Sequence, residues 1–225
     1  MKKFILIGLI GCILIWGSYQ AMFSDNEDVT AVQDETEPQH ITQNIETLIN
    51  EAIEHYNRLL KQHETLEIDH ETVRISDSNI KNWIIHTHIQ SAVLANENLE
   101  GIELVDRALQ YKHTNEAIIK WAKEVHDTEV TDKEIKDYIK QQLAHIENGE
   151  QAHPFFVKIS EALELTEAEY FYEWEYDRFA QLLIQDKLYD IYQENYSQFE
   201  DEPLEEYQGR LIALMEKDLN EYRNH

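Results

Sequence analysis

Eleven histidines in a chain that also carries 45 acidic residues are the first place to look for chemistry. His86-Thr87-His88 is the tightest pair, but residues two apart on a helix point about 200° apart. The two rings therefore cannot grip one ion. His63-Glu64 and His70-Glu71 each begin like the zinc-protease string HExxH. The fourth position after each histidine holds Glu67 and Arg74 rather than His, so the pattern fails. Glu200-Asp201-Glu202 is acidic enough for loose calcium binding, yet it sits in no EF-hand loop. Nucleophilic catalysis lacks its parts: the only cysteine, Cys12, lies in an apolar stretch, and no GxSxG elbow occurs. Paired carboxylates of the kind a glycosidase uses recur all along the chain, so proximity in sequence singles out none of them. The expectation is a solvated acidic surface, with no catalytic residue, metal ligand or cofactor site assigned.

The aromatic residues carry more information. Phe155-Phe156, then Tyr170-Phe171-Tyr172-Glu173-Trp174-Glu175-Tyr176 with Phe179, concentrate ring area within 25 residues. Successive helical residues diverge by about 100°, so three consecutive rings cannot all face one core. One reading makes Phe155, Phe156, Tyr170, Tyr172, Tyr176 and Phe179 an exposed, acid-rimmed patch for polypeptide binding. The other makes Phe171, Trp174, Leu182 and Tyr189 the core stripe of a long helix, with the remaining rings along its edges.

The elements that must position these rings read as helices. Of the six glycines, Gly8, Gly11 and Gly17 fall in the N-terminal apolar stretch, and there are only three prolines. A β-sandwich needs more turns than that allows, and no Gly-rich phosphate loop is present. Ile41, Ile45, Leu48, Ile49, Ala52, Tyr56, Leu59 and Leu60 recur at three- and four-residue steps, which predicts a first helix. Leu66–Ile75 alternates and reads as extended. Further helices are expected over 77–96, 101–125 with a break near His113-Thr114-Asn115, 131–148, 154–163, 167–196 as the longest, and 204–222. Gly149 is the expected stop of the 131–148 helix. Thr131 with Glu134, and Thr166 with Glu169, have capping-box spacing. Residues 75–84 match residues 130–139 position by position, either through duplication or through independent use of the same helix-start chemistry.

The overall charge is −26. Lys2 and Lys3 carry the only charge before Asp25, so from residue 24 onward 17 basic residues face 45 acidic ones, leaving −28. Such repulsion disfavours nucleic acid and anionic lipid heads. Met1-Lys2-Lys3 followed by FILIGLIGCILIWG reads as an export segment over 1–23. Three forms remain open: an uncleaved signal anchor, a lipoprotein signal with Cys12 lipidated after Leu9-Ile10-Gly11, or a cleaved signal. Residues 24–40 read as an acidic tether, and 41–225 as the helical domain. One cysteine permits no intrachain disulfide.

Leu104 to Ile139 resembles the chaperone domain shared by the SurA N-terminal region, the PrsA foldase lipoproteins and the trigger factor C-terminal region. The residues that carry the likeness are Ala108-Leu109, Ala122-Lys123 and Val130-Thr131-Asp132-Lys133-Glu134-Ile135, continued by Leu163 to Tyr170 and a long helix. The likeness covers about residues 70–200. Where that family usually has a glycine before Val-Thr, this chain has His126-Asp127-Thr128-Glu129. The parvulin-type isomerase domain found in parts of that family, which requires Gly-rich strands, has no counterpart after Tyr170. The resemblance implies an all-α, extended multi-helix chaperone module on the extracytoplasmic face of a bacterial membrane, holding unfolded or exported proteins, with basic segments favoured, and no isomerase activity. The alternative is a membrane-tethered helical adaptor with one dedicated partner.

Overall fold

The computed structural model describes residues 45–92, 97–147 and 154–224, with the side chains of 45, 145–147 and 154–156 outside that description. The export segment, Cys12 and the tether lie outside the described residues. So does the expected stop at Gly149. The described chain is all-α apart from one hairpin. Its order is α1 (Ile45–Gln62), β1 (Thr65–Ile68), β2 (Glu71–Arg74), α2 (Ser78–Gln90), α3 (Gly101–His126), α4 (Asp132–Glu147), α5 (Pro154–Ala162), a single turn α6 (Glu167–Glu169), a π-helical turn (Tyr170–Trp174), α7 (Tyr176–Asn195) and α8 (Leu204–Arg223). Among the described residues no helix is long and apolar enough to cross a membrane.

The region expected as one helical domain divides into two compact units. The first holds the residues up to Tyr111 together with those up to Tyr170 that follow Gly149, and the second holds Lys112–Gly149 and Phe171 onward. In the first unit α1 packs against α2 and α5. Its core includes Ile49, Ala52 and Leu59 from α1, Trp83, Ile84, Ile85 and Ile89 from α2, and Leu104, Val105 and Ala108 from α3. Leu60, part of the apolar spacing of α1, is exposed. The alternating stretch folds back on itself. β1 and β2 pair antiparallel, Leu66 opposite Val73 and Ile68 opposite Glu71. Asp69 (φ 48°) and His70 (φ 70°) turn the chain. Two positive-φ residues in a two-residue hairpin turn match the strand twist, and Asp and His are among the few non-glycines that tolerate that region. The Tyr56 hydroxyl then ties α1 to the Ile75 carbonyl at 3.1 Å.

In the second unit α7 packs against α4 and α8, around Ile118, Trp121, Ile139, Phe171, Ile184, Leu188, Leu211 and Leu219. Both expected capping boxes form. Thr131 Oγ1 accepts from the Glu134 amide at 3.3 Å while the Glu134 carboxylate accepts from the Thr131 amide at 2.8 Å. Thr166 and Glu169 repeat the exchange at 3.2 and 2.8 Å. In the matching segment of the first unit, however, Asp77 rather than Ser76 caps α2, accepting from the Asn79 amide at 2.8 Å. Asp77 aligns with Asp132, so the cap has moved by one residue. The shared letters thus serve helix starts in different registers, as independent use of capping chemistry would produce.

α3 runs unbroken through His113-Thr114-Asn115 and is the longest described helix. Weak local propensity there is overridden by burial of Asn115 and Ile118. The helix expected over 167–196 is instead split by the π-helical turn and by Glu175, whose φ of −96° and ψ of −1° depart from helical values. That break sets the phase of α7: its buried stripe is Phe179, Ile184, Leu188 and Tyr192, while Leu182 and Tyr189 are only half-buried. The junction after α3 closes without glycine. Asp127 takes φ 48°, and the Thr128 amide reaches the Ala122 carbonyl at 3.0 Å.

Candidate functional site

The rings singled out by the sequence have different fates. Tyr170 is buried in the first unit and Phe179 in the second, at 4% and 3% exposure, so neither presents a surface to a ligand. Phe179 is layered on Phe171, with centroids 5.9 Å apart and planes 5° apart, and touches Tyr138 at 5.4 Å. Tyr172 and Tyr176 are half-buried. Tyr176 begins α7 and donates its hydroxyl to the Asp132 carboxylate at the start of α4. Burial, with that bond to a carboxylate, pushes its hydroxyl up to about 12. It therefore ties two helices together. Phe155 and Phe156 fall in the first turn of α5, and their side chains, like Cys12, lie outside the described residues.

In the second unit Glu175 and Arg178 form an ion pair at 3.7 Å with both side chains about nine-tenths buried. Arg178 also donates to the Trp174 carbonyl at 3.2 Å. Arg178 thereby gives a donor to a part-buried carbonyl at the break in the helix. Nearby, Lys187 of α7 reaches the Glu134 carboxylate at 2.6 Å and the Glu129 carbonyl at 2.8 Å. The Lys187 bond, helped by Thr131, pulls Glu134 down to about 2.

The exposed aromatic surface lies instead at the loop joining α7 and α8. Tyr196, Phe199 and Leu204 are 38%, 65% and 60% exposed. This loop is built rather than loose. Glu202, with its side chain almost covered, accepts from Arg210 Nε at 2.7 Å and from a second guanidinium nitrogen at 2.8 Å. The same carboxylate accepts from the Phe199 amide at 3.1 Å. Arg210 also donates to the Ser197 carbonyl at 3.1 Å, and the Tyr207 hydroxyl to the Tyr196 carbonyl at 2.9 Å. The Arg210 guanidinium lies 4.3 Å from the Phe199 ring centroid, a cation–π contact that holds the ring outward. Its bonds to Arg210 hold Glu202 below the usual carboxylate range, and they consume the carboxylate that a calcium ion in Glu200-Asp201-Glu202 would need. Around the apolar side chains Glu194, Glu200, Asp201, Glu205 and Glu206 are exposed. The arrangement suits binding to apolar, positively charged material. It contains no nucleophile paired with a base.

Sequence reasoning also missed a histidine pair in the first unit. His55 of α1 and His88 of α2 sit with ring centroids 4.6 Å apart. His88 Nδ1 donates to the Leu99 carbonyl at 3.1 Å, which leaves its buried Nε2 without a hydrogen-bond partner. His55 Nε2 lies 3.6 Å from Glu100. Burial, with His88 and Arg58 pushing the same way, holds His55 below its ordinary imidazole value against the pull of Glu100 and Glu51. The available signal was the spacing of His55 with Ala52, Tyr56 and Leu59 on one helical face. His70 occupies the hairpin turn, so the string it begins is not on a helix at all. Among the described residues no group of three or more His, Cys, Asp or Glu is placed to hold a metal ion.

Compared with family models, with curated proteins and with solved structures, the chain matches none of them.

Proposed function

We propose that this chain is a membrane-anchored, extracytoplasmic chaperone-like protein that binds unfolded or exported polypeptides without isomerase activity. The observation that carries this reading is the exposure of large apolar side chains on an acidic, mostly helical chain. Ile102, Val125, Phe199 and Leu204 are each more than half exposed, within a region of charge −28 from residue 24 onward. Separated apolar contacts favour weak association with many chains, and like charge keeps the carrier soluble. The apolar, basic-led N-terminal segment supports the anchor and the side of the membrane. The likeness over residues 70–200 to the SurA, PrsA and trigger factor chaperone domain supports the client class.

The test is the aggregation of a chemically denatured secreted protein, followed by light scattering with and without the full chain in detergent. Suppression at equimolar chain is the expected outcome, and unchanged scattering overturns the reading. A second reading, an adaptor with one dedicated partner, is favoured by the rigidity of the α7–α8 loop, since a preorganised surface suits one shape. Crosslinking followed by identification of the captured proteins separates the two. Many unrelated exported chains support the carrier; one stoichiometric protein supports the adaptor.

A further inference from the structure

We infer that the α7–α8 loop is the docking point of this protein, and that its occupant is an apolar polypeptide segment flanked by lysine or arginine. The inference rests on the polypeptide-binding reading above and commits it to one place and one chemistry.

Folding normally covers large rings, yet here several bonds act together to leave one uncovered. Glu202 is spent on Arg210 and on the Phe199 amide, and Arg210 is spent on Glu202, the Ser197 carbonyl and the Phe199 ring. The backbone of the loop is therefore fixed before any partner arrives, which lowers the ordering cost of binding. What it holds outward is Phe199, with Leu204 and Tyr196 nearby.

The charge around these side chains selects the occupant. Glu194, Glu200, Asp201, Glu205 and Glu206 are exposed, and none has an ion-pair partner among the described residues. The one cation within the loop's own bonding, Arg210, is already neutralised by Glu202. Glu205 and Glu206 also sit in the first turn of α8, where the helix dipole favours them. An acidic segment of equal apolarity would meet uncompensated repulsion, whereas a basic one would gain attraction and a faster encounter. A second copy of this loop is disfavoured for the same reason.

The experiment uses the full chain in detergent and two fluorescein-labelled peptides of identical Leu and Phe content, one spaced with Lys and the other with Glu. Anisotropy is expected to show the Lys peptide binding about tenfold or more tightly than the Glu peptide, with affinity falling as salt rises. Phe199→Ser with Leu204→Ser is expected to weaken the Lys peptide about tenfold. Glu200→Gln, Asp201→Asn, Glu205→Gln and Glu206→Gln together are expected to remove most of the salt dependence while leaving the fold intact. Equal binding of the two peptides, no binding of either, or unchanged binding by both variants overturns the inference. The aggregation test fails separately. If the wild-type chain suppresses aggregation and the Phe199/Leu204 variant does so equally, the docking point is wrong and the carrier reading survives. If the wild-type chain binds the Lys peptide at the loop but suppresses nothing, the docking point stands and the carrier reading falls.

Discussion

Two aromatic segments of the second unit meet opposite ends. Residues 171–179 hold Phe171, Trp174 and Phe179, all buried. Residues 196–204 hold Tyr196, Phe199 and Leu204, all exposed. Both segments interrupt helices, and in both a glutamate and an arginine secure the interruption. Glu175 and Arg178 are about nine-tenths buried, and Arg178 bonds the Trp174 carbonyl at the break. Glu202 and Arg210 brace a surface loop and place a guanidinium over a ring. The local chemistry is similar, so it is not what decides burial. The earlier segment has α4 packed beside it, as the Tyr138 contact with Phe179 and the Tyr176 bond to Asp132 show. The later segment turns the chain between two helices, where loop side chains face water.

The largest expected difference is between the two segments' phenylalanines. Phe171→Ala removes a fully buried ring and its Phe179 layer, at a cost of about 3–5 kcal/mol. Phe199→Ala removes an exposed ring, and the expected cost is under about 0.5 kcal/mol. Urea unfolding of both variants measures the contrast, and similar losses would mean that Phe199 is covered in solution. Next comes Tyr176→Phe, which deletes the bond to Asp132 for about 1 kcal/mol. Because the hydroxyl is raised to about 12 in the fold, the unfolded chain gives up its proton first as pH rises. Wild-type stability should therefore fall from about pH 10 toward 12, and the variant should lose less over that window. At the acidic end Glu134 is held down to about 2. Its contribution is full above its ordinary value and is lost as pH falls toward about 2; Lys187→Met should flatten that part of the acid-unfolding curve. The smallest effect is local. Glu202→Gln should leave the melting temperature nearly unchanged while making the 196–203 backbone open to limited proteolysis, because Arg210 loses its charged partner. An uncleaved loop would show that the Tyr207 bond to the Tyr196 carbonyl suffices.

The histidines extend the lesson to the first unit. His86 and His88 look paired in the sequence, yet the ring that meets His88 is His55, brought from another helix. Since burial holds His55 low, the unfolded chain binds its proton more readily. The first unit should lose stability as pH falls below about 6.5.

Several helix starts were legible in the sequence because capping chemistry is local. Thr131 with Glu134 and Thr166 with Glu169 close their boxes as their spacing requires, and α5 and α8 begin at or just after proline. Composition set the helical class for a similar reason: few glycines and prolines, with apolar residues at three- and four-residue steps, leave little else to form. Tertiary structure alone decided which faces are covered. The Glu175 break shifted the α7 stripe to Ile184, Leu188 and Tyr192. Packing closed over Tyr170 and Phe179 and left Phe199 outside. Capping depends on neighbours within one turn of chain, whereas burial depends on which distant helix arrives, and no local spacing encodes that.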